Sequence, residues 1–555
     1  MDKQMGEIEK SYREAVTDFT TDSGITVKGV YTAEDISDID VDSDIGLPGE
    51  YPFTRGHHSQ MYRGKLWNIR EISGVSTPAR FNEWLKFLIS EGASALDWVQ
   101  DAPSNYTIEP DQPAAKDQVG GVGVSLQRLK DVEVLCEGLP LDQVSICFSG
   151  DWPIFPQAYI LAAKRRGYDI AKLRGVGGSL QPWTPVFKPS YTEMQYVNGR
   201  LSTLGRWGFD FAEYTMKNTP RWNWWSFDGA AYGQLGTNAI QEIACLVACQ
   251  KEIVREMLKR GIDINAIGRK LSPVTGIGRD FFEEIAKMRA ARRIWARTMK
   301  EEFGATDPKA MTLRMHANAP QGGVYTRQQP LVNMVRGTMS SLSAVLGGCM
   351  GLQTTSYDEA WCAPSEEAVT LAIRTQQVLR YESGVAKVAD PLAGSYYMEW
   401  LTSKLEEEIM SMVDKIEQLG GWMAVMISGW IQQEIMNNFI ETEKKVDRGE
   451  RVLLGVNRFA IPPEEDFQPK LYVRDVGDIE PYLDEYKAFK TKRNLKGVEK
   501  ALESLRHAAE NMKDNLVPYV FQALEADATF PEIFGVFRMV DGLEYDWAGE
   551  REYPF

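Results

Sequence analysis

From about residue 50 to 400, short apolar runs alternate with longer stretches of helical period. VSICF at 144–148 has the unbroken apolar character of a buried strand, PQAYILAAKRRGYD after it is helical, and KLRGVGG returns to a strand and a turn. Farther on, MTLRMHA at 311–317 reads as a strand, VNMVRGTMSSLSAVLG at 332–347 as a helix and GLQTT as another strand. Such repetition implies parallel strands joined by crossover helices. Over this length an α/β fold closed into a (β/α)8 TIM barrel is the natural solution, although periodicity alone also allows an open doubly wound sheet.

The flanks read differently. Residues 1–49 start as a charged helical stretch and become AEDISDIDVDSD, whose acidic alternation has no face to bury, so they form a surface arm, either a solvated tail or a segment that wraps a partner. Within the barrel, Asp280 and Glu283 have capping-box spacing ahead of Phe281, Ile285, Met288, Trp295 and Met299, which recur at helical intervals. From Ser403 to Leu419 a second stripe, Leu405, Ile409, Met412, Ile416 and Leu419, ends at Gly420. The expected division is therefore an arm over 1–49, a barrel over 50–402 and a helical region over 403–555.

Composition narrows the partners. A chain of 555 residues with 43% hydrophobic and 25% charged positions is an ordinary globular protein, long enough for more than one core. Its net charge of −16 argues against a broad nucleic-acid or anionic-membrane surface, while leaving room for a local basic pocket. No window has the apolar length of a membrane span, and MDKQMGEIEKSYREAV carries no signal-peptide pattern, so a cytoplasmic location is expected. Six cysteines form no CxxC pair and read as free thiols, with Cys245 and Cys249 facing a core. The four histidines, His57, His58, His316 and His507, have no zinc spacing. The glycine-rich DQVGGVGVSLQRL at 117–129 lacks the third glycine and the ribose acid of a dinucleotide loop.

The stretch YPFTRGHHSQMYRGKLWNIREISGVST, Tyr51 to Thr77, is too polar for a core and mixes aromatic, basic and hydroxyl side chains. It closely resembles the acyl-CoA portal of the methylmalonyl-CoA mutase family, adenosylcobalamin-dependent acyl-CoA mutases in which YPFTRG precedes a methionine, a tryptophan, an Ile-Arg pair and a Gly-x-Ser-Thr turn. Here these are Met61, Trp67, Ile69 with Arg70, and Gly74, Ser76 and Thr77. AKMRAARRIWA and the tail NLVPYVFQALEADATFPEIFGVFR resemble further helices of the family, so the likeness runs from about residue 50 to the end. It implies an isomerase in which the cofactor carries radical chemistry while the protein supplies position and a water-poor cavity. It also implies roles. His58, Gln60, Met61 and Lys65 would meet the CoA arm, with Lys65 suited to a phosphate. LRMHANAP resembles a Leu-Arg-x-His-x-Gln strand, placing His316 at the acyl group and Asn318 where the glutamine stands. SYDEAW resembles an Asp-Glu-Ala motif, placing Glu359 and Ala360 beside the cofactor, with the Glu359 carboxylate on its ribose.

The departures bear on substrate. Ile72 replaces the tyrosine of methylmalonyl enzymes, Ala231 falls on their carbonyl-contacting histidine, and Lys188 is the nearest counterpart of the arginine that holds a substrate carboxylate. An unpaired carboxylate in a dry cavity costs several kcal/mol, so strict methylmalonyl-CoA mutase activity is disfavoured. The aliphatic Ile72 resembles the hydroxyisobutyryl-CoA mutase type, whose aspartate aligns nearer Val99, two residues from Asp97. With the tryptophan-rich RWNWWSF, these changes suggest a bulky or branched acyl group, aryl-substituted dicarboxylic or hydroxy-branched, unless Trp222, Trp224 and Trp225 merely fill the barrel wall. A catalytically degenerate acyl-CoA-binding or partner-binding protein is the alternative reading.

The family's Asp-x-His-x-x-Gly cobalamin signature is absent from this sequence, and His507 lies in LRHAAEN. A separate small cobalamin-binding subunit, in a hetero-oligomer, is therefore expected to hold the cofactor. The isolated chain should retain little adenosylcobalamin on gel filtration, and the small subunit should create a tight site; stoichiometric retention by this chain alone would refute the division of labour.

Overall fold

The computed structural model describes residues 19–149, 152–177, 196–197, 200–224, 227–321, 323–472 and 475–555. Eight strands make one parallel sheet: β1 Asn68–Ser73, β2 Ala95–Trp98, β3 Ser145–Phe148, β4 Arg174–Val176, β5 Trp222–Asn223, β6 Val274–Gly276, β7 His316–Ala319 and β8 Gly351–Thr354. Their spatial order is β5-β4-β3-β2-β1-β8-β7-β6. The two edges meet through parallel bridges at Trp224–Leu271 and Asp228–Val274, with Val274 N donating to Phe227 O at 2.8 Å. That closure turns the sheet into a (β/α)8 barrel, in chain order around the ring.

The apolar runs form the strands as read at Ser145–Phe148 and Gly351–Thr354, but the expectation at 311–317 shifts. Asp307 caps a helical turn over Pro308–Met311, its carboxylate accepting from Lys309 N, so β7 begins only at His316. Proline is favoured in the first turn of a helix, and here it overrides the strand-like run that follows. The tryptophans also settle. Trp222 and Trp224 are buried in the wall, donating to Gly177 O at 3.1 Å and Thr215 Oγ1 at 2.9 Å, and Trp222 packs against Phe148 and Tyr159. These two do not enlarge an acyl pocket, and Trp225 lies outside the described residues. Lys188 lies outside them as well.

Helix Phe281–Arg297 organises one flank. Asp280 caps it, accepting from Glu283 N at 3.2 Å, but the reciprocal half of the expected capping box is not made. Glu283 turns instead to the N-terminal arm and accepts from Ser23 N at 3.1 Å. Arg293 and Arg297 of the same helix hold Asp44 in the arm through its carbonyl and carboxylate. The arm is otherwise mostly exposed from 33 to 44, as its acidic alternation requires. Helix Tyr396–Gln418 starts earlier than the stripe from Ser403 suggested and runs across positions 402 and 403; Leu405, Ile409 and Ile416 are buried, whereas Leu419 is exposed. Cys245 and Cys249 are buried on helix Ala239–Lys259. Among the described residues, no helix is long and apolar enough to cross a membrane.

The same helix carries a buried charge cluster. Lys287 Nζ lies 2.9 Å from Glu242 Oε2 and 2.5 Å from Glu284 Oε2, all three side chains nearly inaccessible, and it donates to Gly276 O at 2.5 Å. Burial alone would lower the Lys287 ammonium, but Glu242 and Glu284 outweigh it and hold it above its ordinary value. Burial pushes the Glu284 carboxyl up to about 8, against the pull of Lys287. Removing the cation would strand acidic groups in a low-dielectric interior. Lys287→Met should therefore cost about 3–5 kcal/mol in urea unfolding, while Lys404→Met, at a half-buried surface position, should cost under about 1 kcal/mol. Equal losses would contradict this account of the cluster.

Candidate active site

Alternation along the strands fixes what faces the barrel interior. Outward positions such as Ile69, Leu96, Ile146, Ala317 and Leu352 join the main core beneath the helices. A separate small cluster unites Cys147, Val176, Ala230 and Val274, from β3, β4, the β5 loop and β6. These elements are consecutive around the ring, and their cluster lies on its inner face, apart from the outward core. The inward Asn68, Ile72, His316 and Asn318 each keep some accessible surface, while the outward Ile69, Ala317 and Ala319 keep none. The barrel therefore has a lumen.

Two charges sit in it. Arg70 pairs with Asp97 on the neighbouring strand, both buried, its Nε 3.4 Å from Oδ1, and its Nη1 donates to Asn318 Oδ1 at 3.4 Å. Burial pulls the guanidinium down, but Asp97 outweighs it and raises it above its ordinary value. A second carboxylate, Asp228, caps the short helix Gly229–Gln234 by accepting from Ala231 N at 3.2 Å. Burial pushes it up to about 6, with Arg70 pulling the other way and Asp97 adding to the rise.

His316 enters β7 beside this pair. A Cβ on Gly351, its neighbour on β8, would come within 2.5 Å of His316 Nδ1 and 3.1 Å of Arg70 Cδ, so the glycine makes room for both. Burial, reinforced by Arg70, Arg314 and Lys65, lowers the imidazole to about 3, and its buried Nδ1 has no hydrogen-bond partner. A neutral imidazole with an unspent nitrogen can hold a carbonyl without adding charge.

The two mouths differ. At the N-terminal end of the strands, His58 is lowered by burial and then by Lys65 and Arg314, and Lys270 is lowered to about 8 by burial and Arg314. His57, next to His58, is lowered well below its usual value, again chiefly by burial. This end is basic, with His58, Gln60 and Lys65 exposed. Met61 is buried instead, its sulfur filling the space beside Gly56. At the C-terminal end, Glu359 and Ala360 lie in the loop after β8, where Glu359 N donates to Ser356 O. Over a third of Glu359 stays accessible, yet its carboxyl is recessed enough that burial and then Asp358 push it up to about 7.

A profile for methylmalonyl-CoA mutase matches residues 20–543. The chain belongs to the methylmalonyl-CoA mutase family. It is similar to the 2-hydroxyisobutanoyl-CoA mutase large subunit of Aquincola tertiaricarbonis, 34% identical over 99% of this chain and 96% of that protein. It is also similar to the methylmalonyl-CoA mutase of Rhizobium meliloti (strain 1021), 32% identical over 94% of this chain and 72% of that one, and to the human mitochondrial methylmalonyl-CoA mutase, 30% identical over 94% and 68%. These are acyl-CoA mutases, isomerases that depend on coenzyme B12, and this family member is an isomerase of that class.

Within this mutase, the expected residues are divided between places. His316, Asn318 and Ile72 all face the lumen, His316 level with Asn68, Asn318 level with Arg70, and Ile72 higher, in register with Asp97. His58, Gln60 and Lys65 sit at the basic mouth, and Glu359 and Ala360 at the opposite one. Ala231 is buried behind the Asp228 cap, while its neighbour Ala230 joins the lumen cluster. Sequence reading named Asp97 only as lying two residues from an aligned aspartate position, and gave no role to Cys147, Asp228, Arg314 or Lys270. The available signal was charge in apolar strand runs: Arg70 in NIREIS and Asp97 in ALDW are period-2 positions that a solid core would not accept unpaired.

The neutral His316 has a consequence for acid stability. The folded state leaves this imidazole unprotonated down to about pH 3, whereas the unfolded chain takes up its proton below about 6.5. Stability should therefore fall as pH drops from about 6.5 towards 3. His316→Asn should flatten that slope in denaturant titrations across the window, and an unchanged slope would exclude the assignment.

Proposed function

We propose that this chain is the acyl-CoA-binding large subunit of an adenosylcobalamin-dependent mutase that rearranges the carbon skeleton of a hydroxy-branched acyl-CoA. The observation that carries the reading is the lumen's charge: Arg70 is committed to Asp97, and Asp228 stands near both. A free carboxylate on the acyl head would add another negative charge in a water-poor space where, among the described residues, Arg70 is already committed. A hydroxyl brings no charge and finds acceptors. The aryl-substituted alternative loses its support because Trp222 and Trp224 face the wall. The large-subunit relative is named for a hydroxy-branched substrate.

In this reading the CoA phosphates sit at the basic mouth near Lys65, His58 and Arg314, and the acyl thioester lies along the lumen. His316 Nδ1 or its partner nitrogen holds the thioester carbonyl, Asn318 lies beside it, and Arg70 stays paired with Asp97. Ile72 and the methyls of Ala230 and Val274 exclude water from the reacting carbon. His507 is exposed on the outer face of helix Leu495–Glu510. In this reading Glu359 and Ala360 would meet the adenosyl side of the cofactor, with the Glu359 carboxylate on the ribose, and a separate small subunit would hold the rest of it. When bound, adenosylcobalamin supplies radical hydrogen-atom chemistry at the C-terminal mouth.

The test is product chromatography on the reconstituted complex with 2-hydroxyisobutanoyl-CoA, methylmalonyl-CoA and an aryl-substituted dicarboxylic acyl-CoA. The hydroxy-branched ester should turn over at least about tenfold faster in kcat/KM than either carboxylate, a difference of about 1.4 kcal/mol. Preference for methylmalonyl-CoA would overturn the reading.

A further inference from the structure

Where β6 and β7 end at the C-terminal mouth, the chain makes unusual room for one side chain. Gly276 occupies an inward position on β6, two residues beyond Val274 of the lumen cluster. A Cβ there would collide with Gln321, 2.0 Å from its Oε1 and 2.8 Å from its Cβ. A Cβ on Gly233, on the short helix after β5, would come within 1.9 Å of the same Oε1. Two glycines on separate elements thus sheathe the Gln321 amide, and side chains at either position would expel it. The backbone of Gln321 is fixed as well, its N donating to Ile277 O at 2.9 Å.

Among the described residues nothing pairs with the amide oxygen so placed. Gln321 Oε1 is buried and has no hydrogen-bond partner. Leaving a buried amide oxygen unpaired is unfavourable, and a site that sheathes it without satisfying it is built for a donor that arrives with a ligand. Gln321 also lines a cavity of about 120 Å3 with Gly233, Glu242, Gly278 and Arg279. Glu242 is already committed to Thr275, Gly276 and Lys287, and Arg279 donates to the carbonyls of Gly323 and Val324. Thr237 Oγ1 and Glu283 Oε2 at this cavity are also buried without a hydrogen-bond partner, Glu284 Oε2 has its ion pair with Lys287, and of these oxygens the Gln321 carbonyl is the one set against the inward Gly276.

We infer that Gln321 is a specificity-determining residue that accepts a hydrogen bond from the hydroxyl of the acyl head group at the C-terminal mouth of the lumen. The inference rests on the hydroxy-branched reading and deepens it by naming the residue that senses the hydroxyl. A neutral acceptor suits this role, since it rewards a donor without favouring the free carboxylates that Asp97 and Asp228 already repel. An ester lacking the hydroxyl would leave Oε1 unpaired, which is the kind of loss that gives strong discrimination.

The experiment is calorimetric titration of the full chain with 2-hydroxyisobutanoyl-CoA and isobutanoyl-CoA, which differ only by the hydroxyl. The wild-type chain should bind the hydroxy ester about tenfold more tightly. Gln321→Met, close in shape but without an acceptor, should reduce that preference to within about twofold while leaving isobutanoyl-CoA affinity unchanged, and Gln321→Glu, which keeps an acceptor, should retain it. Should the methionine variant fail to fold, Gln321→Ala must show the same loss of preference. A preference that survives both removals, an equal loss for both esters, or no preference or no binding by the wild type would overturn the inference. Survival of the preference in the variants leaves the hydroxy-branched function standing, whereas faster turnover of methylmalonyl-CoA in the chromatographic assay sinks that function itself.

Discussion

The barrel's seam between β5 and β6 depends on a buried lysine. The seven other strand junctions are laddered, but this one has only isolated bridges, and the end of β6 would be left with unmet backbone groups. Lys287 and Glu242 meet them: the ammonium donates to Gly276 O, and the carboxylate accepts from Gly276 N at 2.9 Å and Thr275 Oγ1 at 2.7 Å. Side chains from two different helices thus complete a strand's hydrogen bonding, and their mutual attraction offsets the cost of burying them. The positions of Gly276 and of the residues stacked over it follow from that clamp. Because the lysine belongs to helix Phe281–Arg297, which also grips the N-terminal arm through Arg293, Arg297 and Glu283, arm and seam share one support.

The lumen works by the opposite rule. There the charged pair Arg70–Asp97 leaves neighbours with unspent capacity: the His316 Nδ1 without a partner, and half-exposed Asn318 and Ile72. The basic mouth and the recessed Glu359 lie at opposite ends of the strands, so a long thioester can be gripped by its phosphates at one end while its acyl group reacts at the other. The chemistry of such a cofactor asks little acid–base work of the protein.

The architecture was legible in the sequence because strand runs and helical stripes repeat at the spacing a barrel demands, and because Tyr51–Thr77 carries a contiguous motif. The errors came where one short-range signal met another. Strand-like MTLRMHA yielded to the Asp307–Pro308 helix start, and the Asp280–Glu283 box lost its second half because Glu283 had a better partner 260 residues away at Ser23. The tryptophans were ambiguous in principle, since aromatic side chains suit both a wall and a pocket, and only strand parity separates the two. Parity also hid the interior charges. Arg70 is conspicuous in sequence, but that it meets Asp97 and Asn318 follows from strand register, which no local pattern reveals.

The partial exposure of the inward side chains has a thermodynamic meaning. Asn68, Ile72, His316 and Asn318 keep accessible surface while the wall behind them does not, so the lumen offers a column of surface that mixes polar edges with an apolar patch. A thioester enters it by covering that column. Covering Ile72 releases water at a gain, whereas water hydrating Asn318 must be replaced group for group. The heat capacity of binding should therefore track the apolar part of the column, and selectivity its polar part. Two acyl groups of equal size can differ in affinity by which of those waters they leave unreplaced.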